Sequence, residues 1–144
     1  MDTRQILWQA VVVLIAISAA GCGKQDGLNR GAVQGVITVD GVAVETGAIT
    51  FVPTGATKGP TTGGKIADGK YEIEAEDGPV LGEHLVQIIG MRGSGKFMTE
   101  KLEGQVVKTE LIEDMVPAKY RGQSELQRTV EPGRNQFDFE LSSD

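Results

Sequence analysis

The sequence contains a single cysteine and a single histidine among its 144 residues. One cysteine excludes an intrachain disulfide, so the fold must be stabilised by packing alone. One histidine and one cysteine also do not supply the ligands of an ordinary zinc site. Nucleophilic catalysis would depend on His84, and the chain has no G-x-S-x-G motif to present a serine to it. We therefore expect no metal and no cofactor, and we predict that His84 starts a strand on a solvated face.

Aromatic residues and positive charge are also scarce. The chain has 4 Phe, 2 Tyr and 1 Trp but 20 Gly, which favours many tight turns between short strands over a helical bundle. Lys and Arg number 14 against 20 Asp and Glu, and the net charge is −6. This balance opposes attraction to nucleic-acid phosphates and to anionic lipid. Nucleic acid is therefore not an expected partner.

The longest apolar segment lies at the N-terminus. Residues 6–20 are uncharged and mostly apolar, and they follow a short head that carries Arg4. The segment is shorter than the ~20 residues of a membrane-spanning helix, and it fits the ~7–15 residues of a signal-peptide hydrophobic region. Three small residues, at positions 19–21, then lead to Cys22. The pattern indicates a signal peptide that ends at the cysteine.

The sequence Ala-Ala-Gly-Cys at positions 19–22 resembles the lipobox of bacterial lipoproteins, with Ala19 where that family most often has Leu. The resemblance implies that residues 1–21 are a lipoprotein signal peptide and that Cys22 is lipidated after cleavage. It also implies export to the periplasmic face of a membrane, where Gly23 after the cysteine favours the outer membrane. The alternative is an uncleaved membrane span followed by a free thiol.

Residues 22–32 contain glycine, asparagine and charged residues without hydrophobic periodicity. This composition predicts a flexible tether. At ~5–6 Å × √n, the tether would hold the domain roughly 15–20 Å from the anchor. Residues 33–144 would then form a single domain.

An alternation of apolar and polar residues begins at Val33 and predicts an all-β domain. Asp40-Gly41 and Asp68-Gly69 are two-residue hairpin signals. About seven short strands, with turn signals roughly every 8–12 residues, predict a β-sandwich. The residues expected to face its core are Val33, Gly35, Ile37, Val39, Ile49, Phe51, Tyr71, Ile73, Ala75, Val86, Ile88, Phe137, Phe139 and Leu141.

Five blocks in this order resemble the transthyretin-like, carboxypeptidase-regulatory-like domain of small bacterial lipoproteins. They are VQGVITVDGVAVETGAITFVP, GGKIADGKYEI, GPVLGEHLVQI, VPAKYRGQSELQRTVEPG and NQFDFEL. The resemblance covers nearly all of residues 33–141. It implies a seven-stranded Greek-key sandwich, related in architecture to immunoglobulin domains, and it implies no known reaction and no catalytic or ligand residues.

Two motifs suggest chemistry that their surroundings do not support. Residues 90–96 have the G-x-x-x-x-G-K spacing of a phosphate-binding loop, but Phe97 stands where a Ser or Thr should reach Mg²⁺, and no helical periodicity follows. We interpret them as a flexible glycine loop. A dense acidic group could offer oxygen ligands to Ca²⁺, but we interpret it as the solvated face of one strand. Its members are Glu72, Glu74, Glu76 and Asp77.

Residues 91–114 interrupt the strand pattern with many charges and glycines. Loops longer than ~12–15 residues are uncommon in compact domains and are often functional. We therefore predict a long loop at about 91–114 that contacts a partner, and residues 105–112 could alternatively form an extra hairpin strand. The loop residues expected to bind the partner are Arg92, Lys96, Phe97 and Lys101.

Taken together, these patterns predict a lipid-anchored β-sandwich with a structural or binding role at the cell envelope, and not an enzyme. Its expected partners are the membrane, through the lipid, and an envelope protein or glycan. The alternative is a periplasmic hydrolase or glycan-active enzyme that uses His84 or surface carboxylates. A concave pocket with convergent polar groups around His84 would favour that alternative.

Overall fold

The computed structural model describes residues 27–144 of the chain. Within this range the protein has ten β-strands, one short 3₁₀ helix (Ala118–Tyr120) and no α-helix. The all-β prediction is therefore confirmed. The strands are β1 (Ala32–Val39), β2 (Val42–Ala43), β3 (Thr46–Pro53), β4 (Thr62–Ala67), β5 (Lys70–Ile73), β6 (Gly82–Leu102), β7 (Gln105–Asp114), β8 (Leu126–Val130), β9 (Arg134–Gln136) and β10 (Phe139–Leu141).

The strands form one mainly antiparallel sheet in the order β10-β1-β5-β4-β3-β6-β7. Strand β8 pairs with β6, while β2 and β9 pair with β1. The pairs that β1 makes with β9 and β10 are parallel. Strands β4 and β5 share only the pair Ala67–Lys70. Side chains from both ends of the strand order belong to one buried cluster, so the two halves of the sheet face each other. The ring centroids of Phe51 and Tyr71, one from each half, lie 6.4 Å apart, which gives the domain a sandwich-like core.

The core is built by the predicted alternation. Side chains of one parity are buried on β1, β3, β5 and the first half of β6, as Ile49 and Phe51 on β3 and Val86 and Ile88 on β6 illustrate. On β1, Gly35 is also buried, and only glycine fits there because a Cβ would collide with the carbonyl of Phe137. The buried hydrophobic cluster consists of Val33, Ile37, Val39, Val44, Ile49, Phe51, Ile66, Tyr71, Ile73, Val86, Ile88, Met115, Val116, Val130, Phe139 and Leu141. The predicted inward residue Ala75 is exposed, because β5 ends at Ile73 and the chain turns.

Both predicted hairpin turns are present. Asp40 and Gly41 have φ values of 49° and 81°, and Asp68 and Gly69 have values of 51° and 75°. Positive φ at both central residues is the geometry of a type I′ turn, whose twist matches that of the flanking strands. A third turn of this kind, at Glu103-Gly104 with φ values of 49° and 84°, joins β6 to β7.

The structure corrects two predicted boundaries. Residues 91–114 are not a loop: they form the second half of β6 and all of β7, so the alternative of an extra hairpin strand over 105–112 is confirmed. The tether predicted over 22–32 also ends early, since Arg30 forms a β-bridge with Val80 and β1 begins at Ala32. With β7, a separate β9 and the two-residue β2, the strands number ten rather than about seven.

The predicted signal peptide, residues 1–21, and the predicted lipidation site, Cys22, lie outside the described residues. Among residues 27–144, no helix is long and apolar enough to cross a membrane.

Candidate functional site

A two-stranded ribbon, residues 91–114, extends from the body of the domain. The first half of β6 pairs with β3 as far as Met91, and from Met91 onward β6 pairs with β7 instead. Strand β7 pairs with β6 alone, and all ten of its residues are exposed. At about 3.4 Å per residue, the β6 arm from residue 91 to 102 is roughly 40 Å long. The ribbon is therefore the most exposed element of the described chain.

The ribbon also concentrates exposed apolar side chains. Among the described residues, twelve large hydrophobic side chains are exposed, and eight of them belong to the ribbon. Scattered apolar side chains are normal on a protein surface, but a contiguous group marks an interaction site. The eight are Met91, Phe97, Met98, Leu102, Val106, Val107, Leu111 and Ile112.

Cross-strand pairing distributes these side chains over both faces of the ribbon. Directly paired residues share a face, and the register pairs Phe97 with Glu110, and Met98 with Thr109. We call the two faces the Phe97 face and the Met98 face. The Phe97 face carries Met91, Phe97, Val106 and Ile112, and the Met98 face carries Met98, Leu102, Val107 and Leu111. Each face therefore exposes four large apolar side chains to solvent.

The four residues predicted to bind a partner all lie on the ribbon, but they do not converge. Arg92 forms a 2.9 Å ion pair with Glu113 on the Met98 face. Phe97 and Lys101 lie on the opposite face, and the Lys108 ammonium sits 4.4 Å from the centroid of the Phe97 ring. The apolar residues of β7 are not among the four predicted binding residues. Their signal was present in the β-branched and aliphatic residues on either side of Lys108-Thr109-Glu110.

Lys96, the fourth predicted residue, lies in a β-bulge of β6. The register shifts between Gly93 and Phe97, where extra residues stand opposite β7. Gly95 has a φ of +71°, and its N–H donates to a carboxylate oxygen of Glu110 at 2.9 Å. The phosphate-loop spacing of residues 90–96 is thus a bulged strand with no helix after it, and the prediction of a flexible loop there is also wrong.

The base of the ribbon is held to the body by a small set of contacts. The N–H of Met115 donates to the carbonyl of Gly90 at 2.8 Å, and Met115 and Val116 are buried. Arg121 forms a 2.8 Å ion pair with Asp114, the last residue of β7. The same guanidinium donates to the carbonyl of Val116 at 2.9 Å. These contacts fix the point from which the ribbon departs.

His84 is buried in the core, so its predicted place on a solvated face is wrong. It shares the parity of Val86 and Ile88 on β6, and its side chain is 0% exposed. Its Nδ1 lies 3.0 Å from the carbonyl of Gly82, and its ring meets Phe51 edge-on at 6.2 Å. Its Nε2 is buried and has no hydrogen-bond partner among the described residues.

Burial lowers the pKa of His84, because the charged imidazolium would lose its hydration. The described contacts of its ring are with the carbonyl of Gly82 and the ring of Phe51, and neither partner is a hydroxyl or a carboxylate. A base for hydrolysis needs such neighbours. Among the described residues, His84 therefore has neither neighbour within hydrogen-bond distance.

The acidic group is divided between an ion-pair network and a turn. Arg134 on β9 binds Glu72 at 2.6 Å and Glu74 at 3.2 Å, while Glu76 and Asp77 lie in the turn that follows β5. Within residues 27–144, no group of three or more His, Cys, Asp or Glu side chains is arranged to hold a metal ion.

A shallow cavity of about 410 Å³ lies beside this network, over β1, β4 and β5. Its lining includes Lys65, Lys70 and Gln34 but not His84. This cavity is therefore not the polar pocket around His84 that would favour the enzyme alternative.

A scan against protein-family models found no match for the chain, and a search among curated proteins found none either. The resemblances carried by the lipobox and by the five sequence blocks thus remain predictions.

Proposed function

We propose that the protein is an exported lipoprotein that presents a β-sandwich module at the periplasmic face of a membrane and binds another envelope protein through its ribbon. In this proposal the body is a Greek-key sandwich of the transthyretin-like, carboxypeptidase-regulatory-like kind, and the ribbon is an addition to it. The role is structural or binding rather than catalytic. The outer membrane is the proposed site of the anchor.

The observation that carries the binding role is the exposure of apolar side chains on both faces of the ribbon. A two-stranded hairpin alone is only marginally stable in water. The contact of exposed aliphatic side chains with water is also unfavourable in free energy, and Ile112 is 69% exposed. Covering them against a partner would recover about 25 cal/mol per Å² of apolar area. Aliphatic side chains and methionines suit a protein surface better than a hydroxyl-rich glycan.

The anchor is supported by the small residues before Cys22 and by the polar residues after it. Each buried CH₂ of an acyl chain contributes ~0.8 kcal/mol, so two or more chains hold a protein stably where one is marginal. The acidic domain contributes no attraction to anionic lipid. Lipid on Cys22 is therefore required for membrane attachment in this proposal.

Mass spectrometry of the mature N-terminal peptide tests the anchor. We expect a diacylglyceryl adduct on Cys22 and no residue before it. The Cys22→Ala variant should remain as an uncleaved precursor. An unmodified thiol at Cys22 in the mature wild-type protein would overturn the lipoprotein assignment.

Site-specific photocrosslinking in intact cells tests the binding role. A photoreactive residue at Val106 on the ribbon should give a discrete crosslinked protein product. Val42 on β2 is the matched control, because it is also a valine and its exposure, 56%, is close to the 63% of Val106. Products of equal yield from both positions, or no product from Val106, would contradict binding through the ribbon.

A further inference from the structure

We propose that the partner of the ribbon is a second copy of this chain, with the two β7 strands paired antiparallel about a two-fold axis through Thr109. This inference rests on the proposed binding role of the ribbon and names its occupant. It follows from the open edge of β7 and from the order of the side chains along that strand.

The outer edge of β7 is open to a further strand. Strand β7 is the terminal strand of the described sheet order, and no described strand pairs with its outer edge. Natural proteins blunt such edges with proline, bulges, short strands or charged side chains, especially lysine. Over its ten residues β7 has no proline and one lysine, and the ribbon's bulge falls on β6 instead. Its other charged residues are acidic: Glu110, Glu113 and Asp114. An exposed edge of this length with no proline, no bulge and a single lysine is a template for strand addition.

The sequence of β7 is complementary to itself when read in the opposite direction. With Thr109 opposite Thr109 of the second copy, Lys108 faces Glu110, Val107 faces Leu111, and Val106 faces Ile112. Each pair occurs twice because the interface is isologous. Every apolar residue of this segment meets an apolar residue, and each charge meets its opposite, which are the pairs that stabilise antiparallel strands.

Other registers lose this complementarity. Sliding the second strand by two residues puts Lys108 opposite Lys108 in one direction and Glu110 opposite Glu110 in the other. Sliding it by one residue puts Val107 opposite Glu110, or Lys108 opposite Leu111. Like charges directly opposite each other are destabilising, and so is a charge that faces an aliphatic side chain. The sequence therefore selects the register centred on Thr109.

Pairing in this register would extend the ribbon into a four-stranded sheet, in the order β6-β7-β7-β6. Val106 and Ile112 would gain apolar neighbours on the Phe97 face, while Val107 and Leu111 would gain them on the Met98 face. The unpaired backbone groups of β7 would also be satisfied. The new cross-strand contacts form equally on both faces of the ribbon.

Cysteine crosslinking tests the register in the full-length protein. Paired Cα atoms in antiparallel strands lie about 4.5–5.5 Å apart, within the range of a disulfide. Thr109→Cys should therefore form an interchain disulfide under mild oxidation. Thr99→Cys is the matched control, because Thr99 is an exposed threonine on β6, where the two copies would be separated by three strand spacings, or about 14 Å. The wild-type chain, whose only cysteine is Cys22, measures the background of disulfides that do not involve the introduced cysteine.

Charge reversal tests the pairing itself. In detergent-solubilised full-length protein, Lys108→Glu alone and Glu110→Lys alone each place like charges opposite each other twice, and we expect either one to raise the dimer dissociation constant about tenfold or more. An equimolar mixture of the two variants should associate again, because in the mixed dimer every new charge faces its opposite. Sedimentation equilibrium measures all three samples.

The mixture also controls for local damage to the ribbon. Lys108 contacts the Phe97 ring and Glu110 accepts from the N–H of Gly95, so either substitution changes the ribbon that carries it. Damage of that kind would not be repaired by mixing two damaged chains. Recovery in the mixture therefore supports the pairing. Unchanged dissociation constants for the single variants, or no association of the mixture, would overturn it.

The outcomes separate this inference from the proposed function. If Thr109→Cys forms no disulfide above background while the photoreactive residue at Val106 captures a different protein, the second copy is wrong and the binding role stands. If the Val106 product has the mass of two copies and Thr109→Cys crosslinks faster than Thr99→Cys, both are supported. If Val106 yields no product and Thr109→Cys no disulfide, both fail.

Discussion

The two halves of strand β6 lie in different environments although they are one continuous strand. In the first half, residues 82–90, buried and less buried side chains alternate, whereas the second half, from Met91 to Leu102, is almost entirely exposed. The sequence explains the difference. The first half places His84, Val86 and Ile88 on one parity. The ribbon instead carries adjacent apolar pairs such as Phe97-Met98 and Val106-Val107, which put apolar side chains on both faces.

A single core covers one face of a strand, so the apolar residues of that strand must share one parity. A strand with apolar residues of both parities is buried only if both faces are covered. The body covers one face of each of its strands. The ribbon leaves the body before either of its faces is covered.

The largest expected effect is on the free energy of unfolding, and it distinguishes two phenylalanines, one in each region. Phe139 is 2% exposed in the core and Phe97 is 51% exposed on the ribbon. Phe139→Ala should lower the free energy of unfolding by about 3–5 kcal/mol. Phe97→Ala should change it by about 0.5 kcal/mol or less. Urea unfolding of the two variants measures both values, and equal shifts would mean that the ribbon is packed as firmly as the core.

A smaller effect is expected at the junction of the two regions. Arg121→Ala removes the ion pair with Asp114 and the hydrogen bonds to the carbonyl of Val116. The loss should be roughly 1 kcal/mol, and amide hydrogen exchange should speed up along β7 more than along β3. Arg92→Ala is the control, because it removes an exposed ion pair within the ribbon. Uniform acceleration over the whole domain would show that Arg121 stabilises the body rather than the junction.

The smallest effect is a dependence of body stability on pH through His84. Its pKa is lowered in the folded state by burial, so the unfolded chain binds a proton more readily than the folded protein. Stability is therefore fully present above the unfolded pKa of about 6.5 and declines as the pH falls below it. His84→Gln should remove this part of the slope.

Unfolding free energies measured between about pH 5.5 and 7.5 compare the wild type with His84→Gln. The two slopes should differ, with the wild type losing more stability toward acid. Thr109→Cys crosslinking in the His84→Gln background should be unchanged, because the ribbon contains no histidine. Parallel slopes for the two proteins would show that His84 does not titrate differently on unfolding.

Much of the body could be predicted from the sequence because its local signals agree with one another. Asp40-Gly41 and Asp68-Gly69 are strong turn signals and both form type I′ turns. The burial of His84 follows from its parity, which it shares with Val86 and Ile88, whereas its polarity favours the solvated face.

The ribbon could be predicted only in part, because its signals conflict. Glu103-Gly104 forms the same turn geometry as the two Asp-Gly turns, but glutamate is not a typical first residue of that turn. Adjacent apolar residues and interspersed charges also remove the period of two on which strand prediction depends. The four predicted binding residues fall on the ribbon, yet the open edge of β7 follows from pairing and not from composition. The lipidation of Cys22 stays a prediction.

The parallel pairing of β1 with β9 and β10 means that the domain is complete only when its C-terminal strands are in place. The N–H of Val36 bonds to the carboxylate of Asp138, 102 positions later, and Ile37 pairs with Phe139. Without residues 134–141, one edge of β1 has no neighbour. Pairing between such distant segments is also slow. A chain truncated before residue 134 therefore lacks both strands that complete this edge of β1.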